Sequence, residues 1–119
     1  MPKILVVDDS ETIRVSCRRM LTAAGYDVIA ACDGFQALER IQENPALIIL
    51  DINMPGMDGY AVCEQLQTIP TALPIIFLTS EESAALKMLG EAYGAYLHKP
   101  ISQEKLIAAV DQQLAQTHG

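Results

Sequence analysis

The stretch Leu47-Ile48-Ile49-Leu50-Asp51-Ile52-Asn53-Met54-Pro55-Gly56-Met57-Asp58-Gly59 decides the fold. Its first four residues are continuously apolar, without the alternation of a half-exposed strand and too short for an independent helix. That is the pattern of a parallel strand covered on both faces. An aspartate ends the run, and a turn-rich segment follows where a helix could have started at once. Outward from it, similar runs recur at Ile4-Leu5-Val6-Val7 and Ile75-Ile76-Phe77-Leu78, with Val28-Ile29-Ala30-Ala31 and a weaker Ala95-Tyr96-Leu97-His98 completing a set of five.

Between the strands the period changes to that of a helix. Ile13, Cys17, Met20, Leu21 and Ala24 mark one face of a first helix, with Ser10 placed to cap it and Gly25 to end it. Arg14, Arg18 and Arg19 fall mostly off that stripe. A second helix carries Ala37, Leu38 and Ile41 and stops before Pro45; a third carries Val62, Leu66 and Ile69 and stops before Pro70. A fourth is expected over residues 83–93, with Ala85, Met88, Leu89 and Ala92 on one side. The fifth has Leu106, Ile107, Val110 and Leu114, with Ser102 as its cap and Glu104 in the first turn. Strand and helix alternate five times with no linker, repeat or low-complexity segment. Right-handed crossovers and two-sided burial then make an α/β fold: a three-layer, doubly wound (βα)5 parallel sheet forming one domain over residues 1–119.

Composition narrows the function. Half of the 119 residues are hydrophobic and 19% are charged, a globular balance. Eight Lys and Arg against fifteen Asp and Glu leave a net charge of −7, which disfavours nucleic acid and anionic membrane surfaces alike. Cys17, Cys32 and Cys63 have no metal-ligand spacing and read as buried, reduced thiols. The opening residues are too short for a signal peptide, and no apolar run is long enough for a membrane span, so a cytoplasmic protein is expected.

Doubly wound sheets bind ligands at the carboxyl ends of their strands. There the chain places Asp8 and Asp9 after the first strand, Asp51 after the third, Thr79 and Ser80 after the fourth, and Lys99 and Pro100 after the fifth. Three carboxylates on one edge repel unless a cation joins them, and an all-oxygen set suits a hard ion, Mg²⁺ first. Capping of the next helix is an equal reading of Asp8 or Asp9 alone. It accounts neither for Asp51, which precedes a turn, nor for Lys99. Carboxylates, a metal, a hydroxyl and an ammonium around one point describe a phosphoryl site, with Asp51 as nucleophile, Lys99 and the metal neutralising the phosphoryl oxygens, and Thr79 donating a hydrogen bond.

Four pieces in order, Ile4-Leu5-Val6-Val7-Asp8-Asp9-Ser10, Leu50 through Gly59, Leu78-Thr79-Ser80 and Tyr96-Leu97-His98-Lys99-Pro100, resemble the receiver domains of two-component response regulators, the single-domain chemotaxis and pilus type above all. The resemblance runs from Lys3 to about Leu114 and implies the flavodoxin-like strand order 2-1-3-4-5. It implies further that Asp51 is the phosphoacceptor, that Asp9 binds Mg²⁺ directly and Asp8 largely through water, and that the Asn53 carbonyl is another ligand. Thr79 and Lys99 would sense the phosphoryl group, Tyr96 would be the switch aromatic, and Lys99-Pro100 would be a cis peptide. Tyr96 can also be read as a strand aromatic packed on the fourth helix. The implied donor is a histidine kinase or phosphotransfer protein. With no effector domain expected, output would be a protein contact on the fourth-helix, fifth-strand and fifth-helix face. No activity beyond self-catalysed phosphoryl acceptance and autodephosphorylation is implied. Arg14, Arg18 and Arg19 form either a kinase-docking surface or a solvated basic face. Ala46 stands where the family often has Asp, the span from Thr79 to Lys99 is a couple of residues short, and Tyr93-Gly94 replaces the usual lead-in to the fifth strand.

Rival readings make different demands. An aspartate-based phosphohydrolase would need a second Asp where Ser10 stands. A flavin or mononucleotide module would need a phosphate loop after the first strand, where Asp8-Asp9 would repel the ligand. A receiver-like module that works without phosphorylation keeps every matched residue and stays open.

Overall fold

Alternation along the strands decides what each face of the sheet carries, because successive side chains point to opposite sides. In the computed structural model, which describes residues 1–54, 56–57, 59–66, 68, 73–80 and 94–117, strand β1 (Lys3–Val7) sends Ile4 and Val6 to one layer and Leu5 and Val7 to the other. The remaining strands are β2 (Asp27–Ala31), β3 (Leu47–Asp51), β4 (Ile75–Thr79) and β5 (Gly94–His98). All pair in parallel in the order β2-β1-β3-β4-β5. The expected doubly wound sheet and its strand order are therefore observed.

Helices α1 (Glu11–Ala23) and α4 (Gln103–Thr117) cover one face. There Cys17, Leu21, Leu106, Val110 and Leu114 pack with Ile4, Val6, Leu47, Ile49, Ile76 and Leu78. Helices α2 (Gly34–Arg40) and α3 (Gly59–Leu66) cover the other, where Ala37, Val62, Cys63 and Leu66 meet Leu5, Val7, Ile48, Leu50 and Phe77. β3 and β4 are buried at every position, as their unbroken apolar runs require.

Helix ends follow local chemistry. The Ser10 side chain accepts from the Ile13 amide at the start of α1, and Gly25 adopts φ +94° just beyond its end. Ser102 caps α4 by accepting from the Lys105 amide at 3.1 Å.

Some expectations are corrected. Ala24, placed on the buried stripe, is exposed because the helix has already ended there. α2 stops at Arg40 and passes into a 3-10 turn over Ile41–Glu43, so Ile41 lies outside the α-helix. Gly94 is the first residue of β5, paired with Ile75, rather than a lead-in to it. Cys17 and Cys63 are buried and outside any disulfide, but Cys32 is half-buried. The expected helix at 83–93, Ile69 and Pro70 lie outside the described residues. Among the described residues, no helix is long and apolar enough to cross a membrane.

Candidate functional site

Three of the four ladders run one residue past their strands, and these extra bonds fix the backbone at the carboxyl edge. The Asp8 amide donates to the Ala31 carbonyl at 3.2 Å, the Ile52 amide to Leu78 at 3.1 Å, and the Lys99 amide to Thr79 at 2.8 Å. Parallel register does the rest, since Val7 lies beside Leu50, Asp51 beside Leu78, and Thr79 beside His98. Asp8, Asp51, Thr79 and Lys99 thus share one edge, centred where strand order reverses between β1 and β3, the usual ligand position of such sheets.

The Asp8 and Asp51 side chains are buried, and Asp9 is exposed at the rim. One carboxylate oxygen from each of Asp8, Asp9 and Asp51 can be chosen so that all three lie within 4.8 Å of one another. Main-chain amides orient two of them: Ser10 donates to Asp8 Oδ1 at 2.9 Å, and Asn53 to Asp51 Oδ1 at 3.2 Å. Lys99 Nζ lies 3.0 Å from Asp8 Oδ2 and 3.4 Å from Asp51 Oδ1. Asp8 Oδ2 is nonetheless buried without a hydrogen bond, so its ammonium contact is an ion pair of imperfect geometry.

These charges act on one another. Burial, reinforced by the Asp8 charge, pushes Asp51 up from its ordinary 3.8 to about 6, against the opposing pull of Lys99 and the Asn53 amide. Burial pulls Lys99 down, but the Asp8 and Asp51 carboxylates outweigh it and hold the ammonium above its ordinary range. Beneath them, burial and then the Asp8 charge raise the Cys17 thiol to about 11, which keeps it protonated and inert.

Three carboxylates against one ammonium leave the cluster short of positive charge. With an orphaned buried oxygen among all-oxygen donors, these residues fit a small hard cation. Lys99→Met should lower stability by about 2–4 kcal/mol in chelator, because Asp8 loses its partner ion inside the protein. Denaturant melts would check it, and added divalent cation should narrow the gap. An unchanged midpoint in chelator would count against the charge balance described.

Thr79 is fully buried at the end of β4, and Asn53 is exposed with its amide on Asp51. Tyr96 is half-buried, packs against the layer that contains Phe77, and meets the His98 ring edge-on at 5.6 Å. The Lys99-Pro100 peptide is cis, as expected.

Two contributors were not evident as such from sequence. Arg14 is half-buried and donates from Nη1 to the Asp8 carbonyl at 2.6 Å, whereas Arg18 and Arg19 are exposed. Gly59 opens α3 so close to β3 that its amide bonds the Ile52 carbonyl at 3.0 Å. The only prior signal was Gly59 at the end of a turn-rich stretch.

Comparison with known proteins fits this geometry. The family profile for the response regulator receiver domain matches residues 4–111. Response regulator MprA of a Mycobacterium species (strain KMS) is 42% identical over 118 residues, covering 97% of this chain and 51% of that protein. The Mycobacterium leprae MprA is 41% identical over 97% of this chain and 52% of its own length. The chain thus spans about half the length of these curated relatives. Chemotaxis protein CheY4 of Vibrio cholerae superposes with TM-score 0.84 at 38% identity, covering 95% of this chain and 98% of that one. The receiver domain of Francisella response regulator 1452 gives TM-score 0.88 at 32% identity, covering 98% and 99%. The chain belongs to the response regulator receiver domain family.

Proposed function

We propose that this two-component receiver domain is a switch set by phosphorylation of Asp51. The observation that carries the reading is the placement of Asp51: buried at the end of β3, beside the Asp8 and Asp9 oxygens, with the Lys99 ammonium 3.4 Å from its Oδ1. An Asp51 carboxylate oxygen attacks the phosphorus of a phosphohistidine on a histidine kinase or phosphotransfer protein. The P–N bond breaks, and its electron pair stays with the departing imidazole, leaving an aspartyl phosphate. Mg²⁺, when bound, supplies positive charge to the phosphoryl oxygens; Asp9, Asp51 and the Asn53 carbonyl would hold it, and Asp8 would do so largely through water.

Lys99 supplies the second positive charge, and Thr79 donates its hydroxyl to the phosphoryl group. Drawing Thr79 toward that group makes room for Tyr96 to turn inward, and the Lys99-Pro100 corner follows, so that local charge becomes a change of surface. Attack of water on the phosphoryl group restores Asp51; no other turnover is proposed. The target would be a protein docking on the face that carries β5 and α4; the expected fourth helix, also assigned to that face, lies outside the described residues. The described part of the face holds a groove of about 380 Å³ lined by Tyr96, Leu97, His98, Pro100, Ile101 and Lys105 among others. A cytoplasmic location is part of the same reading.

The test is intact mass after incubation with acetyl phosphate. A gain of one phosphoryl group is expected with Mg²⁺ and not with chelator. If fluoroberyllate, a phosphoryl mimic, also leaves the spectrum unchanged in Mg²⁺, a phosphorylation-independent module becomes the better reading.

A further inference from the structure

We infer that Arg14 is a positioning residue for the acidic pair Asp8-Asp9 and thereby sets the cation affinity of the site. Its sequence position suggested a surface arginine like Arg18 and Arg19. The side chain instead folds back from α1 across six residues, and Nη1 donates to the Asp8 carbonyl at 2.6 Å.

A peptide unit is planar, so the Asp8 carbonyl oxygen and the Asp9 nitrogen are rigidly related. Holding that oxygen fixes the direction in which the chain leaves β1, and hence where Asp9 starts. Asp8 is already secured twice, by its amide on Ala31 and by the Ser10 amide on Oδ1. Asp9 is exposed at the rim, yet it must bring an oxygen within 4.8 Å of the two buried carboxylates. Arg14 supplies the constraint between them. A guanidinium suits this task because its charge strengthens the bond to a neutral carbonyl and its planar head keeps a set orientation.

Electrostatics alone predicts the opposite outcome. Arg14 puts a positive charge beside a site that attracts cations, so its removal would tighten metal binding if charge were its main contribution. Positioning predicts weaker binding, and the sign separates the two.

The experiment is calorimetric titration of the whole chain with MgCl2, with melting temperature recorded alongside. Arg14→Met should weaken Mg²⁺ binding by about ten-fold, the usual scale for groups that orient metal ligands, whereas Arg14→Lys, which can still donate to the carbonyl, should stay within about three-fold of the unchanged protein. Arg18→Met, exposed on the same helix, should leave the affinity unchanged. In acetyl phosphate reactions, Arg14→Met should need more Mg²⁺ for half-maximal rate while recovering most of the rate at saturation. Unchanged or tighter Mg²⁺ binding by Arg14→Met would overturn the inference. So would equal losses in both Arg14 variants accompanied by equal falls in melting temperature, which would mean that α1 had merely loosened. The inference rests on reading the acidic cluster as a metal site. Failure of the unchanged protein to bind Mg²⁺ would sink that reading itself, whereas normal binding with an indifferent Arg14→Met would sink only the role of Arg14.

Discussion

Asp51→Asn is expected to gain no phosphoryl group from acetyl phosphate and, near neutral pH, to be more stable than the unchanged protein. The first effect is loss of the nucleophile: an amide oxygen in the same place carries no charge to form the acyl phosphate. The second follows from burial. Asp51 is held near 6 in the folded protein against an ordinary 3.8, so the folded state binds the extra proton more readily than the unfolded chain. A raised carboxylate destabilises the fold wherever it is ionised. The penalty is fully present above about pH 6 and disappears as pH falls through the window down to 3.8. Its size is on the order of 3 kcal/mol. Asparagine removes the charge and keeps an oxygen for the Asn53 amide, while Lys99 retains Asp8. Melts of both proteins across this range should show a gap at neutral pH that closes in acid, and Mg²⁺ should reduce it by stabilising the native carboxylate. Equal stability at neutral pH would contradict the burial argument. A phosphoryl group found on another carboxylate of the variant would remove Asp51 as sole acceptor.

Gly59→Ala should lower stability by about 2–4 kcal/mol and slow phosphoryl acceptance, although the residue never touches the phosphoryl group. A Cβ there would sit 2.7 Å from the Asp51 carbonyl oxygen and 2.8 Å from the Ile52 Cα. Both are backbone atoms, so no rotamer change relieves the overlap. Either α3 backs away from the sheet, leaving a gap beside Val62 and Cys63, or the peptide carrying Asp51 shifts against Lys99. Gly56 provides the contrast. It adopts φ +82°, but the nearest atom to an added Cβ is Phe35 Cε2 at 3.9 Å, so Gly56→Ala meets backbone strain alone, about 1–2 kcal/mol. Denaturant midpoints and acetyl phosphate rates for the two variants would check the ordering. Gly59→Ala at native stability and rate would mean that α3 can approach the sheet less closely without harm.

What can be read from this sequence is what depends on neighbours along the chain. Unbroken apolar runs marked β1, β3 and β4 because two-sided burial leaves no place for polar residues. Ser10, Gly25 and Ser102 marked helix ends because caps are bonds between residues a few positions apart. The acidic and basic residues that follow the strands pointed to phosphoryl chemistry because every parallel strand delivers its carboxyl end to the same edge. The strand order came from a resemblance; in the molecule it is expressed as register, Val7 beside Leu50 and Asp51 beside Leu78.

The tertiary structure alone decided which distant groups meet. Lys99 was expected at this edge because it follows β5, but only the packing brings it within 3.0 Å of Asp8 and 3.4 Å of Asp51 so that both carboxylates share it. Arg14 turns inward while Arg18, one helical turn further on, does not, and Cys32 stays half-buried while Cys17 and Cys63 are enclosed. Gly59 is required by a close approach of two backbones that no local pattern records. Periodicity tells a residue which face it occupies. Only the packing distance between faces tells it what it touches, and the site depends on those contacts.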